Sequence, residues 1–335
     1  MKQVITPFLL FVLIFAVNTM FAQTSVHPGI DLYLSGKNSE ALAALSIAVK
    51  QKTFEANGEV WDYLGLAYIK DNDYKKAKKA LEKAVKLNPN SSVYRSNLSY
   101  IYILLRQTGK ARSTAQKSIE LDPKNVFAYY IRGSASMLEQ KFDDAGQDAD
   151  QIMTIDPLFQ QGYLLKSNVL LAKLGQRVAK GSTVKDQILF LKEATDILKN
   201  GVEKCKDNPN HQLVDEELES VEAFYSYFSK DKSIQVNPNA VPEPEPGVTA
   251  LKILNKPRPS YTDSARQANI QGTITIVVLF GANGKILNTL LIKRLGNGLD
   301  EQAMGAARKI QFEPMMKDGK PVSVVRMIEY TFSIY

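Results

Sequence analysis

The two residues that most resemble a catalytic pair are Ser182 and Lys185, which stand at Ser-x-x-Lys spacing. That spacing puts a lysine base one helical turn from a serine nucleophile, as some acyl-transfer enzymes require. Such enzymes also need Ser-Asp-Asn and Lys-Thr-Gly elements, and the sequence contains neither. A phosphate-binding loop and a dinucleotide-binding glycine pattern are absent as well. We therefore predict a protein that is not an enzyme and needs no cofactor.

Residues that bind metals or form disulfides are scarce. The sequence contains one cysteine, Cys205, and two histidines, His27 and His211. One cysteine cannot form an intrachain disulfide, and three such scattered residues cannot build a Cys/His metal site. Because Cys205 lies in a helical stretch beside Val202, we expect it to be a small buried thiol. The sequence predicts no metal site and no redox chemistry.

The composition is that of a globular protein with an uneven charge. The chain has 335 residues, of which 44% are hydrophobic and 23% charged, which excludes a fully disordered or fibrous protein. The net charge is +7, and from Val248 onward 12 lysines and arginines oppose six acidic residues. Two interpretations stay open: a basic C-terminal module that meets an anionic partner, or a soluble domain that is simply basic.

Residues 1–22 have the pattern of an export signal. A lysine near the start is followed by an apolar run and by Ala22, a small residue suited to cleavage before Gln23. The alternative is an uncleaved anchor, since Val4 to Ala22 spans 19 residues, or about 28 Å as a helix. Either way we expect the rest of the chain to leave the cytoplasm. No cysteine follows the apolar run, so we expect no lipid anchor.

Three prolines, Pro89, Pro123 and Pro157, recur at intervals of 34 residues. Each follows asparagine or aspartate and precedes a new amphipathic run, so each ends one helix pair and begins the next. The block 58–91 resembles the tetratricopeptide repeat, a helix–turn–helix unit of this length. Its consensus positions are filled by Trp61, Leu64, Gly65, Tyr68, Ala77, Leu81, Ala84 and Pro89.

The blocks 92–125 and 126–159 keep part of the same pattern. Small residues stand where the two helices of a repeat cross, because a larger side chain would separate the helices. These residues are Gly65, Ala77, Ala111, Gly133 and Ala145. Degenerate repeats are expected over 24–57 and 160–210, with a capping helix over 211–229. Residues 23–230 are thus predicted to form a tetratricopeptide α-solenoid.

The resemblance implies a concave groove lined by the first helix of each repeat. It places Asp62, Leu66, Ser96, Tyr100, Phe127, Tyr130 and Met137 there. Chaperone-binding members hold a terminal carboxylate with lysine and asparagine; Asp62 and Ser96 stand at those places, so that ligand is not expected. Tyr100, Phe127, Tyr130 and Met137 are candidate partner-binding residues. The alternative is that these side chains only pack.

Lysines are concentrated over 75–86, where they alternate with alanine, leucine and valine. This is the pattern of the solvated face of an amphipathic helix. In an exported protein it does not indicate a nucleic-acid site, and we predict that the protein binds no nucleic acid.

Residues 231–250 form a predicted linker with four prolines among glutamates, and the periodicity changes after it. Over 251–335 we predict strands at Thr273–Phe280, Ile286–Arg294 and Val322–Tyr335, a hairpin turn at Asn283-Gly284 and a helix at Leu299–Ile310. One buried face is expected to hold Ile274, Ile276, Val278 and Phe280, together with Val322, Val324, Ile328, Tyr330, Phe332 and Ile334. The predicted domain is a three-stranded antiparallel sheet backed by helices.

This region resembles the C-terminal domain of TonB energy transducers. The matching elements are Pro259-Ser-Tyr261, Ala265-Arg266, Ile270-Gln-Gly272, Asn283-Gly284, Leu299-Asp300, Phe312-Glu-Pro314 and Gly319-Lys-Pro321-Val322. One departure is Thr262, where many members have proline; threonine can cap a helix there instead. The fold class is therefore α followed by α+β, a tetratricopeptide solenoid joined to a small TonB-like domain.

The resemblance implies a periplasmic protein that engages outer-membrane receptors by taking a receptor peptide as an added strand at either sheet edge. If residues 1–22 are an anchor, it implies an ExbB/ExbD-type partner complex in the inner membrane. Basic residues of this domain are candidates for partner contact, above all Arg258, Arg266, Lys293 and Arg294, with Lys252, Lys256, Arg308 and Lys309 nearby in sequence. The alternative function is a periplasmic structural adaptor that binds peptidoglycan or envelope-assembly partners without energy transduction.

Overall fold

The computed structural model of the chain describes residues 26–179, 184–208, 211–230 and 247–334. The predicted export signal, Ser182 and residues 231–246 of the predicted linker lie outside these ranges. The described residues form two compact units, one ending at Lys141 and the other beginning at Phe142. The domain limits given above stay predictions.

The first unit is a series of paired helices. The helices are α1 (Pro28–Leu34), α2 (Asn38–Ala48), α3 (Gly58–Lys70), α4 (Tyr74–Leu87), α5 (Ser92–Leu104), α6 (Thr108–Leu121) and α7 (Val126–Leu138). The α3/α4 and α5/α6 pairs correspond to the blocks 58–91 and 92–125. The side chains of Asn57, Ser91 and Asn125 accept backbone N–H groups at the starts of α3, α5 and α7. The repeat therefore sets where each first helix begins.

Two features of this unit concern how the paired helices cross and how the turns between them are formed. A Cβ on Gly65 would lie 2.5 Å from Leu81 Cγ, so α3 and α4 cross closely because residue 65 is glycine. The turns between first and second helices place Asn72, Arg106 and Gln140 at φ 61°, 56° and 59°. The predicted role of Gly65 at the helix crossing is confirmed.

The second unit begins with four more helices, α8 (Phe142–Ile155), α9 (Gln161–Ala179), α10 (Val184–Cys205) and α11 (Gln212–Lys230). Cys205 is 1% exposed at the end of α10, which confirms the expected buried thiol. In the part of the chain that the structure describes, no helix is both long and apolar enough to span a bilayer.

The rest of the second unit is built from strands β1 (Val248–Thr249), β2 (Lys252–Asn255), β3 (Gly272–Phe280), β4 (Ile286–Lys293), β5 (Gln311–Glu313), β6 (Met315–Lys317), β7 (Lys320–Val322) and β8 (Val324–Phe332), with helices α12 (Asp263–Gln267) and α13 (Leu299–Ala307). The main sheet is three-stranded and antiparallel, as predicted, and its strand order is β4-β3-β8. β2 pairs with β5, and β6 pairs with β1 on one side and with β7 on the other. Thr262 caps α12 by accepting the Ala265 amide at 3.2 Å, so the departure at Thr262 keeps the fold.

One face of the main sheet packs on α12 and α13. It buries Ile274, Ile276, Val278 and Phe280, as predicted, with Leu299, Ala303, Ala307 and Ile310 opposite. The final strand is shorter than predicted. Val322 belongs to β7, because the turn at Asp318 and Gly319 folds β7 back on β6. Ile334 lies beyond β8 and is 40% exposed, so its predicted place on the buried face was wrong.

The other face of the sheet is buried as well, which the sequence analysis did not predict. Leu279, Leu290 and Val325 form one apolar cluster with Leu171, Leu174 and Leu191 of α9 and α10 and with Val221, Phe224 and Phe228 of α11. The helix predicted as a cap, α11, therefore has a second role, because it packs against the sheet. Helices and sheet of the second unit share one core.

Candidate functional site

Three of the predicted groove residues form an aromatic chain. The ring centroid of Phe127 lies 5.8 Å from that of Tyr100 and 6.3 Å from that of Tyr130. Tyr100 is buried, whereas Phe127 and Tyr130 are partly exposed on α7. Met137 lies on the same helix, seven residues beyond Tyr130, and is also partly exposed. Within this row of aromatic rings, Phe127 and Tyr130 are thus the residues that a partner can contact.

Asp62 belongs to α3 and is hydrogen-bonded to Asn97 of α5, so it links the first helices of two repeats. It is 3% exposed, and its Oδ2 accepts a hydrogen bond from Asn97 Nδ2 at 2.8 Å. Its Oδ1 is buried without a hydrogen-bond partner among the described residues. Burial raises the pKa of Asp62 to about 7, and the bond from Asn97 opposes that rise. The groove residues Leu66 and Ser96 are buried too, so they support the groove rather than line it.

Strand β8 forms an edge of the main sheet, and among the described residues it pairs with β3 alone. The carbonyl of Glu329 accepts a hydrogen bond from Lys256 Nζ at 2.7 Å, and the carbonyl of Val325 accepts one from Arg326 Nη1 at 2.9 Å. Backbone groups alternate in direction along an edge strand, so the amides of Val325, Met327, Glu329 and Thr331 point away from β3. β8 therefore carries a row of outward backbone groups, among which Val325 is buried and the carbonyls of Val325 and Glu329 are held by Arg326 and Lys256.

The opposite edge, β4, is covered by α11. Ser220 Oγ donates to the carbonyl of Thr289 at 2.9 Å, and the side chain of Asn288 donates to the carbonyl of Ser220 at 3.4 Å. The amide of Thr289 donates to Asn288 Oδ1 at 2.7 Å. The outward backbone groups of Thr289 are thus satisfied within the unit. Of the two edges that the sequence left as alternatives, β4 is contacted by α11 at Asn288 and Thr289, whereas β8 pairs with β3 alone among the described residues.

Two parts of the chain match known family models. Residues 257–334 match the model described as Gram-negative bacterial TonB protein C-terminal. Residues 58–91 and 94–125 each match a tetratricopeptide repeat model. The chain carries tetratricopeptide repeats and a TonB C-terminal domain. Both resemblances inferred from the sequence are confirmed, and both are modules of protein–protein interaction rather than of catalysis.

The relatives found by sequence cover parts of the chain. Human serine/threonine-protein phosphatase 5 is 34% identical over 90 residues, which are 27% of this chain and 18% of that protein. The formate-dependent nitrite reductase complex subunit NrfG of Escherichia coli O157:H7 is 27% identical over 150 residues, 43% of this chain and 74% of that protein. This chain spans less than a fifth of the length of the phosphatase.

Among solved structures, MamA is similar at a TM-score of 0.42 and 22% identity. The match covers 53% of this chain and 95% of MamA.

The basic residues of the TonB C-terminal domain do not share one environment. Arg266 pairs with Asp263 at 3.3 Å and lies over the ring of Tyr261. Arg294 pairs with Glu217 of α11 at 3.5 Å, so it is directed toward the helices. Arg258 and Lys293 are exposed. The structure therefore leaves Arg258 and Lys293 as the members of the predicted set best placed for a partner, and the role of all four stays a prediction.

The sequence did not predict that the side chains of Lys256 and Arg326 donate hydrogen bonds to backbone carbonyls of β8. Lys256 was one of several exposed basic residues, and Arg326 was not singled out. Lys256 lies 4.9 Å from the ring centroid of Tyr330, whose pKa is raised to about 12 by burial. The signal that could have found Lys256 is the use of lysine to protect sheet edges, but only the structure brings residue 256 to β8.

Proposed function

We propose that this is a non-enzymatic periplasmic interaction protein of the TonB family, which contacts outer-membrane receptors through its C-terminal domain in support of transmembrane transport. The tetratricopeptide repeats serve as a scaffold for a second partner. The observation that carries this proposal is the edge of β8, whose outward backbone groups have no neighbouring strand among the described residues.

Strand addition is the mode of binding that this edge supports. A partner segment in extended conformation pairs with the outward groups of Val325, Met327, Glu329 and Thr331, and its backbone supplies most of the hydrogen bonds. The α11 cover on β4 directs the partner to β8. Because the second face of the sheet is packed on α9–α11, the edge is held in place rather than carried on a loose hairpin.

Export and energy coupling depend on residues 1–22. If they are removed, the protein acts in the periplasm as an adaptor. If they are kept, the chain is anchored in the inner membrane and an ExbB/ExbD-type complex becomes its partner. We favour removal, because Ala22 ends the apolar run with a small residue and the run contains no acidic residue or histidine.

A second candidate function is a structural adaptor that binds peptidoglycan. The charge of the C-terminal region favours it, since 12 basic residues oppose six acidic ones from Val248 onward. An anionic cell wall attracts a basic surface without strand pairing. We therefore expect binding to peptidoglycan to weaken as the salt concentration rises and to be unaffected by changes at the β8 backbone.

The experiment that separates the two uses Glu329→Pro and Glu329→Thr in the full chain. The side chain of Glu329 is exposed, and its N–H points away from β3, so proline removes an outward donor without breaking the ladder to β3. The threonine variant keeps the N–H and is the matched control. The probes are synthetic peptides covering the periplasmic N-terminal segments of outer-membrane receptors, and purified peptidoglycan.

We expect peptide binding to fall at least tenfold in Glu329→Pro and to persist in Glu329→Thr. Circular dichroism and thermal unfolding establish that both variants keep the fold. If both variants bind the peptides as the wild type does, strand addition at β8 is wrong. If peptidoglycan alone binds the wild type, the adaptor is the better account.

A further inference from the structure

The two cationic side chains at the β8 edge approach it from one side. Arg326 and Tyr330 lie four residues apart, so their side chains point to the same face of the sheet. Lys256 Nζ sits 4.9 Å from the ring centroid of Tyr330, which belongs to the cluster packed on α13. The guanidinium of Arg326 and the ammonium of Lys256 therefore both reach the edge from the α13 side of the sheet.

The carbonyl groups that these cations hold are regularly spaced. Val325 and Glu329 are four residues apart, which is about 13 Å along a strand. Each carbonyl accepts a charge-assisted hydrogen bond, at 2.9 Å from Arg326 and at 2.7 Å from Lys256. The amides of an added strand compete with each cation for these carbonyls, so binding of a partner weakens the hydrogen bond from each cation to its carbonyl.

We propose that Lys256 and Arg326 select a partner segment that carries two carboxylates four residues apart on one face. This inference rests on strand addition at β8, the proposed function above. A carboxylate beside each cation offers it a charged acceptor while the added strand competes for the carbonyl, whereas an amide offers a weaker, neutral acceptor. The spacing matches because residues four apart in an extended partner also lie about 13 Å apart on one face.

The negative charge of Glu329, on the opposite face of β8, makes this selection more specific. The side chain of Glu329 alternates to the face opposite Tyr330 and is exposed. A carboxylate that the partner places beside Glu329 meets a like charge, which is unfavourable between neighbouring strands. The β8 edge therefore favours acidic side chains of the partner on the α13 face and disfavours them on the opposite face. The spacing of the partner's acidic residues matters as well as their number.

Three nine-residue peptides of alternating threonine and valine, each fused to a soluble carrier, test this inference with the full-length protein. The first has glutamate at positions 3 and 7, the second at positions 3 and 6, and the third glutamine at positions 3 and 7. We expect the first peptide to bind about threefold to tenfold more tightly than the third, with the second between them. Raising the salt to 1 M should reduce the difference.

The variant Lys256→Gln tests whether the ammonium group of Lys256 causes the preference for glutamate. It should reduce the preference for the glutamate peptide without weakening the glutamine peptide. The matched control is Lys252→Gln, which changes an exposed lysine that pairs with Glu313 of β5 rather than with β8. It should leave the preference unchanged.

Equal binding of the three peptides by the wild type, or an unchanged preference in Lys256→Gln, would overturn the selection while strand addition stands. If no peptide binds, strand addition itself is wrong, and this inference is overturned with it.

Discussion

Gly175 of α9 lies directly against the side chain of Ile292 on β4. A Cβ built on Gly175 would overlap Ile292 Cγ2, so one of the two would have to shift. Glycine at this point lets the helix lie on the sheet, and the same contact joins the last helices of the array to the TonB C-terminal domain. This docking keeps the β8 edge in a fixed place within the unit.

The first prediction concerns this contact. Alanine in a helix is ordinarily more favourable than glycine by about 0.5–1 kcal/mol, but here its methyl group meets a β-branched side chain with little freedom to move. We expect Gly175→Ala to destabilise the second unit by about 1–3 kcal/mol in urea unfolding. Gly305→Ala in α13 is the matched control, since a Cβ there would meet no atom within 4 Å apart from its chain neighbours and the backbone of its own helix. Equal effects of the two variants would contradict the close contact.

The second prediction concerns Asp62, whose folded-state pKa of about 7 lies above its ordinary value of 3.8. The folded state therefore holds a proton that the unfolded state has lost, and stability falls as pH rises from about 4 to about 7. Asp62→Asn removes this dependence and is expected to stabilise the protein at pH 8 by about 1–3 kcal/mol.

Chemical unfolding at pH 5 and pH 8 measures the effect of Asp62→Asn. The control is Glu55→Gln, which changes an exposed carboxylate in the same unit and should alter stability by less than about 0.5 kcal/mol. A variant at Asp62 that is no more stable than the wild type at pH 8 would show that the buried carboxylate is solvated or paired in solution.

The third prediction concerns the cover on β4. Ser220→Ala removes the hydroxyl that holds the carbonyl of Thr289, and we expect a loss of about 1 kcal/mol of stability. Receptor-peptide affinity should stay unchanged, because the peptide binds the other edge. Isothermal titration with the variant and the wild type tests this; a clear change in affinity would indicate that β4 takes part in binding.

The fourth prediction concerns residues 1–22. We expect the protein recovered from the periplasm to be soluble and to begin at Gln23. N-terminal sequencing of periplasmic and membrane fractions gives the answer directly. A full-length chain held in the inner membrane would instead support the anchored transducer with an ExbB/ExbD-type partner.

Much of the fold was predictable because its signals are local or periodic. The 34-residue interval between Pro89 and Pro123 predicted the helix pairs, and the Asn283-Gly284 turn predicted the β3/β4 hairpin. The left-handed turns at Arg106 and Gln140 carry residues that do not favour that conformation. Only the 34-residue interval from Asn72 to Arg106 and from Arg106 to Gln140 relates these two turns to the one at Asn72.

The docking of the sheet was not predictable in the same way. Val277 beside Val278, and Leu290 beside Leu291, are adjacent apolar residues that indicate burial on both faces of a strand. They do not say which element covers the second face. The elements that cover this second face are α9–α11, which lie more than forty residues away in sequence. Their packing on the sheet depends on tertiary contacts, for which the sequence has no local signal. The position of Lys256 at the β8 edge also depends on tertiary contacts that the local sequence does not indicate.

Amide hydrogen exchange of the full chain, followed by NMR with and without a saturating receptor peptide, is the most direct test of strand addition at β8. The outward amides of Val325, Met327, Glu329 and Thr331 should gain protection on binding, while the amide of Thr289 on β4 should not change. Protection confined to other parts of the chain, with these four amides exchanging as before, would contradict the account.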